Sequence, residues 1–107
     1  MIEYLQAFIE AHPYGWGHED WLGLISELET AGFDVADPDA VGRELEKERL
    51  AAELRRTAVP GLGPKRIDAV VDRFGTLWSF QHAEAEEVAE IKTIPGSLAE
   101  KVVAAFR

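Results

Sequence analysis

Cysteine is absent from this chain of 107 residues, which excludes a disulfide scaffold, thiolate metal sites and cysteine nucleophiles. Long apolar runs are absent too. None approaches the roughly 18 residues that cross a bilayer, so no membrane partner is expected. Met1-Ile2-Glu3-Tyr4 lacks the basic stretch that opens a signal peptide, and a cytoplasmic location is the expectation. Basic charge is scarce: eleven Lys and Arg face twenty Asp and Glu, for a net charge of −9. The deficit is uneven, with thirteen acidic and five basic side chains in residues 1–56 against seven and six in residues 57–107. Nucleic-acid binders draw much of their affinity from counterions displaced by a basic patch. Any such binding here belongs to the near-neutral second half, and is local and weak.

Recognisable catalytic groupings are missing as well. No serine or histidine stands in a triad context, and Glu84, Glu86, Glu87 and Glu90 read as one solvated helical region. No catalytic residue is assigned and the chain is not expected to be an enzyme. His12, His18, Glu19 and Asp20 surround one loop, but no His-x-x-x-His spacing supports a metal site, and none is expected.

What remains is an ordinary globular composition, 47% apolar and 29% charged. No segment alternates as a strand does, so the expected class is all-α. Ile2, Leu5 and Ile9 mark a first helix stopped at His12-Pro13. Trp21, Leu24, Ile25 and Leu28 carry i, i+3, i+4, i+7 spacing for a second, closed by Gly32 with Phe33 placed for a Schellman contact. Asp37-Pro38 opens a long connector to about Arg56, apolar along Val41, Leu45, Leu50 and Leu54, with Glu46–Arg49 and Glu53–Arg56 paired outside. This helix is expected to pack on both halves. The organisation is an acidic helical region over 1–37, the connector over 38–57, and a repeat module over 58–107.

The repeat is the most informative feature. Ile67, Val70, Val71 and Phe74 return 32 positions later as Ala99, Val102, Val103 and Phe106, each quartet forming one helical face. Helices are expected over 64–74, 85–90 and 97–106, with a short segment after Gly75 capped by Thr76. Ser97 and Glu100 have the spacing of a capping box. Trp78 and Phe80 are expected to seal the gap between repeats.

Val59-Pro60-Gly61-Leu62-Gly63-Pro64-Lys65, Ile67, the Arg73-Phe74-Gly75-Thr76-Leu77 joint and Ala89-Glu90-Ile91 resemble a tandem helix-hairpin-helix domain. That family recurs in DNA repair nucleases, Holliday junction binding proteins, ligases and polymerases. The resemblance covers about residues 50–107. It implies non-sequence-specific binding of duplex or branched DNA, and a candidate monovalent cation at the first hairpin as the sole cofactor. It also suggests an accessory role in repair or recombination.

Hairpin chemistry agrees with that use. Gly61 and Gly63 permit positive φ and leave no Cβ before a ligand. The amides of Gly61, Leu62 and Gly63 then face a phosphate oxygen at the start of the helix opening at Pro64, with Lys65 and Arg66 adding charge. In the second hairpin Thr93 and Pro95 replace the glycines, and Pro95 carries no donor. Lys92, Gly96, Ser97 and Lys101 are left as a secondary, weaker set. A competing reading makes the chain a protein-interaction module with the repeat as scaffold. Tyr14, Trp16 and the acidic first half would then meet a protein partner.

Overall fold

The computed structural model of the chain describes residues 1–106. Among them are seven helices and no strand: α1 (Ile2–Ala11), α2 (His18–Thr30), α3 (Pro38–Thr57), α4 (Pro64–Phe74), α5 (Leu77–Gln81), α6 (Ala85–Ala89) and α7 (Gly96–Ala105). The expected all-α class holds. The shape is elongated, 45 × 24 × 20 Å. No helix among the described residues is long and apolar enough to cross a membrane.

Local rules set most helix ends. At the start of α2 the Gly17 N–H donates to the Asp20 carboxylate at 2.9 Å, and the acidic pair Glu19–Asp20 sits at the positive end of the helix. Its far end is a Schellman turn: Gly32 takes φ +94, its N–H donates to the Glu29 carbonyl, and that of Phe33 donates to Leu28, each at 3.0 Å. Phe33 then meets Tyr4 edge-on, 5.5 Å between ring centres. Asp37 caps α3 through the Ala40 N–H at 3.3 Å, with Pro38 in the first turn.

The third helix is what the two halves share. Val41 and Leu45 bury into a cluster with Leu5, Phe8, Leu24 and Leu28. Two turns on, Leu50, Ala51 and Leu54 bury into the cluster built by the repeat helices. Fully burying one such leucine is worth ~1.5–3 kcal/mol, so α3 fastens both clusters to one rod, as its apolar line suggests. Outside, Arg56 pairs with Glu53 at 2.6 Å. Arg49 does not pair with Glu46; its guanidinium lies 5.0 Å above the Trp16 ring.

Both repeat quartets face the C-terminal core. Ile67, Val70 and Val71 are buried on α4, as are Ala99, Val102 and Val103 on α7. Phe80 joins them, meeting Phe74 at 5.5 Å and Phe106 at 5.1 Å, both edge-on. It seals the gap between repeats. Trp78 does not: it is 67% exposed and stacks on His82 at 4.0 Å. The reason is helical phase. Leu77 and Phe80 lie three apart on the buried face of α5, which turns the residue after Leu77 outward. Thr76 caps this helix through the Ser79 N–H at 3.0 Å.

One helix start differs from expectation. The last helix opens at Gly96 with Pro95 as its cap and no side-chain cap bond, so the Ser97–Glu100 capping box does not form. Pro95 is extended at φ −63, ψ 154, and its carbonyl accepts the Ala99 N–H at 2.9 Å. Proline's fixed φ suits that role, and it pushes Ser97 into the first turn.

Candidate nucleic-acid interface

The first hairpin begins where α3 leaves helical geometry at Ala58, which is left-handed at φ 51, ψ 48. Val59-Pro60-Gly61-Leu62 then has the features of a type II turn: proline second, glycine third at φ +92, and the Leu62 N–H donating to the Val59 carbonyl at 3.0 Å. Val59 and Leu62 are buried, so the turn is pinned to the core by both of its ends. The Leu62 amide is therefore spent internally and is no phosphate donor, contrary to the expectation that three consecutive amides face outward.

Gly63 follows in an extended conformation, φ −82 and ψ −179, and its carbonyl accepts the Ile67 N–H at 3.0 Å. Positive φ is thus needed at Gly61 and not at Gly63. A Cβ built at Gly63 meets nothing within 4 Å, whereas one at Gly61 lies 3.5 Å from Leu98 Cδ1. No side chain caps α4. Among the described residues the N–H groups of Gly61, Gly63, Lys65 and Arg66 find no acceptor. Residues 61–66 line one open concavity of about 760 Å³, with the Lys65 side chain exposed and in no ion pair among the described residues.

Arg66 is placed differently from Lys65. Its Nη1 donates to the Gly61 carbonyl and its Nε to the Thr93 carbonyl, both at 2.7 Å. One directed, charge-assisted bond thus goes to each hairpin from the first turn of α4. Nothing in local sequence signals this, because both acceptors are backbone and one is 27 positions away.

The second hairpin has a turn at the matching place, but not a type II one. Ile94 N–H donates to the Ile91 carbonyl at 3.0 Å, and Thr93 does so without positive φ. Lys92, Gly96, Ser97 and Lys101 are all exposed around it. Pro95 supplies no donor.

The N-terminal aromatics separate. Tyr14 is 99% exposed. Trp16 packs against the N-terminal cluster, edge-on to Phe8 at 5.1 Å, so the two do not make one surface patch. His12 faces Asp20 at 3.5 Å and binds the Phe8 carbonyl through Nδ1 at 2.8 Å. Among the described residues no three or more His, Asp or Glu gather as a metal site would need.

Comparison with known proteins gives partial matches to one protein. The chain is 43% identical over 54 residues to UvrABC system protein C of Symbiobacterium thermophilum, covering 50% of this chain and 9% of that protein. It is 39% identical over 49 residues to UvrABC system protein C of Syntrophotalea carbinolica, covering 46% and 8% respectively. A third match, from Corynebacterium aurimucosum, is 44% identical over 45 residues, covering 42% and 7%. The chain thus spans less than a tenth of the length of these relatives. No family model matches it, and no solved structure does. About half of this chain is similar to a small part of UvrABC system protein C.

Proposed function

We propose that this chain binds DNA without sequence preference, holding a backbone phosphate at the first hairpin. The Gly61 and Gly63 amides and the first-turn amides of α4 donate, and Lys65 adds charge. The observation that carries the reading is Gly63. Its φ is one that any residue adopts and its Cβ position is open, so neither strain nor crowding demands glycine there, although an N-cap favours it over alanine. A ligand's close approach to the backbone does demand it. The helix start behind it, with free amides and no side-chain cap, suits an anion. The helix-hairpin-helix resemblance and the partial match to UvrABC system protein C point the same way, toward a DNA repair or recombination accessory. Phosphate contacts of this kind position a protein without reading bases. The proposal assigns no catalytic residue.

Of the first hairpin's carbonyls, that of Gly61 is the least suited to the expected monovalent cation. The Arg66 guanidinium already stands 2.7 Å from that oxygen, and its charge repels a second cation there.

The test is a titration of labelled duplex and four-way junction DNA at low and moderate salt. The expected result is weak binding whose logarithm falls with log salt at about 0.9 per phosphate contacted. Flat titrations at micromolar protein overturn the proposal. The second reading, an interaction module, then gains. It is favoured by the acidity of the first half and by a groove of about 660 Å³ whose lining includes Trp16, Trp21, Arg43, Lys47 and Thr76.

A further inference from the structure

We infer that Arg66 is a positioning residue that bolts the two hairpins together, and that the second hairpin serves as the strut for the first. The second hairpin has Thr93 for Gly61 and Pro95 for Gly63, so it is poorly equipped to hold a phosphate itself. What it does offer is a backbone carbonyl, that of Thr93, aimed at the Arg66 Nε at 2.7 Å. The same guanidinium holds the Gly61 carbonyl from the other side at 2.7 Å. Leu98, at the start of α7, backs the same bend with its Cδ1 3.5 Å from where a Gly61 Cβ would stand. The second half therefore meets the Gly61 bend through one polar clamp, with Leu98 standing beside it.

Arginine suits this task and lysine does not. The guanidinium is a rigid plane whose N–H groups point in fixed, divergent directions, so one side chain satisfies two carbonyls on separate segments. A lysine ammonium carries the same charge as a compact point on a flexible stem. A clamp needs the fork, whereas a phosphate ligand needs mainly the charge. By holding the carbonyl of Gly61, Arg66 fixes the Gly61–Leu62 peptide plane, which lies between the outward amides of Gly61 and Gly63, and a pre-set bend binds its ligand at lower ordering cost.

The functional half of this inference rests on the DNA reading; the clamp itself does not. The experiment compares Arg66→Lys and Arg66→Gln with wild type by residue-resolved amide hydrogen exchange and by titration of labelled duplex DNA. In both variants exchange of the Leu62 and Ile94 amides, which close the two turns, is expected to rise about tenfold, the loss of roughly one net charged hydrogen bond. The Val70 and Val102 amides in the core keep their protection. Duplex affinity is expected to fall about tenfold in both variants, with Arg66→Lys giving no rescue. Wild-type exchange and affinity in Arg66→Lys overturn the clamp, because charge alone then suffices. If wild type binds no DNA, the binding proposal fails while the exchange data still decide whether Arg66 joins the hairpins.

Discussion

Pro95 holds in the second hairpin the place Gly63 holds in the first. Each is the extended residue before a helix, and each carbonyl accepts the N–H four residues on, Ile67 at 3.0 Å for Gly63 and Ala99 at 2.9 Å for Pro95. The backbone frame is repeated; the outward N–H is not. Restoring it should restore an anchor. Pro95→Gly is expected to raise duplex affinity severalfold and to steepen the salt dependence by up to about 0.9, the increment of one phosphate. Its cost is up to about 1 kcal/mol of stability from added freedom in the unfolded chain. Anisotropy titrations at several salt concentrations check it. Unchanged affinity and slope mean that the second hairpin does not reach DNA even with a donor in place.

Gly61 and Gly63 should part company when each is changed to alanine. At Gly61, φ +92 is strained for any side chain, so Gly61→Ala is expected to lose ~1–2 kcal/mol in urea unfolding as well as DNA affinity. At Gly63 the backbone is ordinary and the Cβ meets nothing within 4 Å. Gly63→Ala is expected to melt within a degree or two of wild type, because the lost N-cap preference and the reduced freedom of the unfolded chain offset each other to within about 0.5 kcal/mol, and still to weaken DNA binding. Wild-type affinity in Gly63→Ala removes the close-approach argument.

Lys65 is exposed at the mouth of the concavity formed by residues 61–66. A charge there contributes to binding through released counterions and little to folding. Lys65→Glu is expected to lower duplex affinity about tenfold or more and to reduce the salt slope by about 1. Its circular dichroism and melting should match wild type. An unchanged slope places Lys65 off the phosphate.

How much of this was legible in the sequence depends on which forces were local. Phe80 and the two apolar quartets could be read from spacing, since helical phase decides which side chains share a face. The Gly32–Phe33 turn and the Asp37 cap were legible because their hydrogen bonds lie within a few residues. Ser97 misled because two local rules competed, a capping box and a proline suited to the extended cap position, and the proline took it. Trp78 does not seal the gap with Phe80 as expected, because Leu77 and Phe80 claim the inner face of α5. For Leu62 the signal was present, because Val-Pro-Gly-Leu is the pattern of a type II turn whose fourth amide bonds inward. The Arg66 clamp had no local signal at all. Its partners are carbonyls, and carbonyls leave no mark in a sequence.

Ala58 concentrates strain at the entrance to the first hairpin. Among the described residues it is the one non-glycine with positive φ, at φ 51 and ψ 48, and its N–H closes the last turn of α3 on the Leu54 carbonyl at 3.3 Å. A Cβ in the left-handed region costs ~1–2 kcal/mol, and glycine is the usual residue at such a helix end. Against this, glycine at the site widens the unfolded ensemble, which offsets ~0.4–1 kcal/mol. The difference favours the substitution. Ala58→Gly is expected to stabilise the chain by about 0.5–1 kcal/mol, the net of these two effects, read as a higher urea midpoint at unchanged slope. Because Ala58 is exposed and lies ahead of the Gly61 bend, duplex affinity should stay at the wild-type value. A lower midpoint shows that the left-handed turn at Ala58 is not strained in solution.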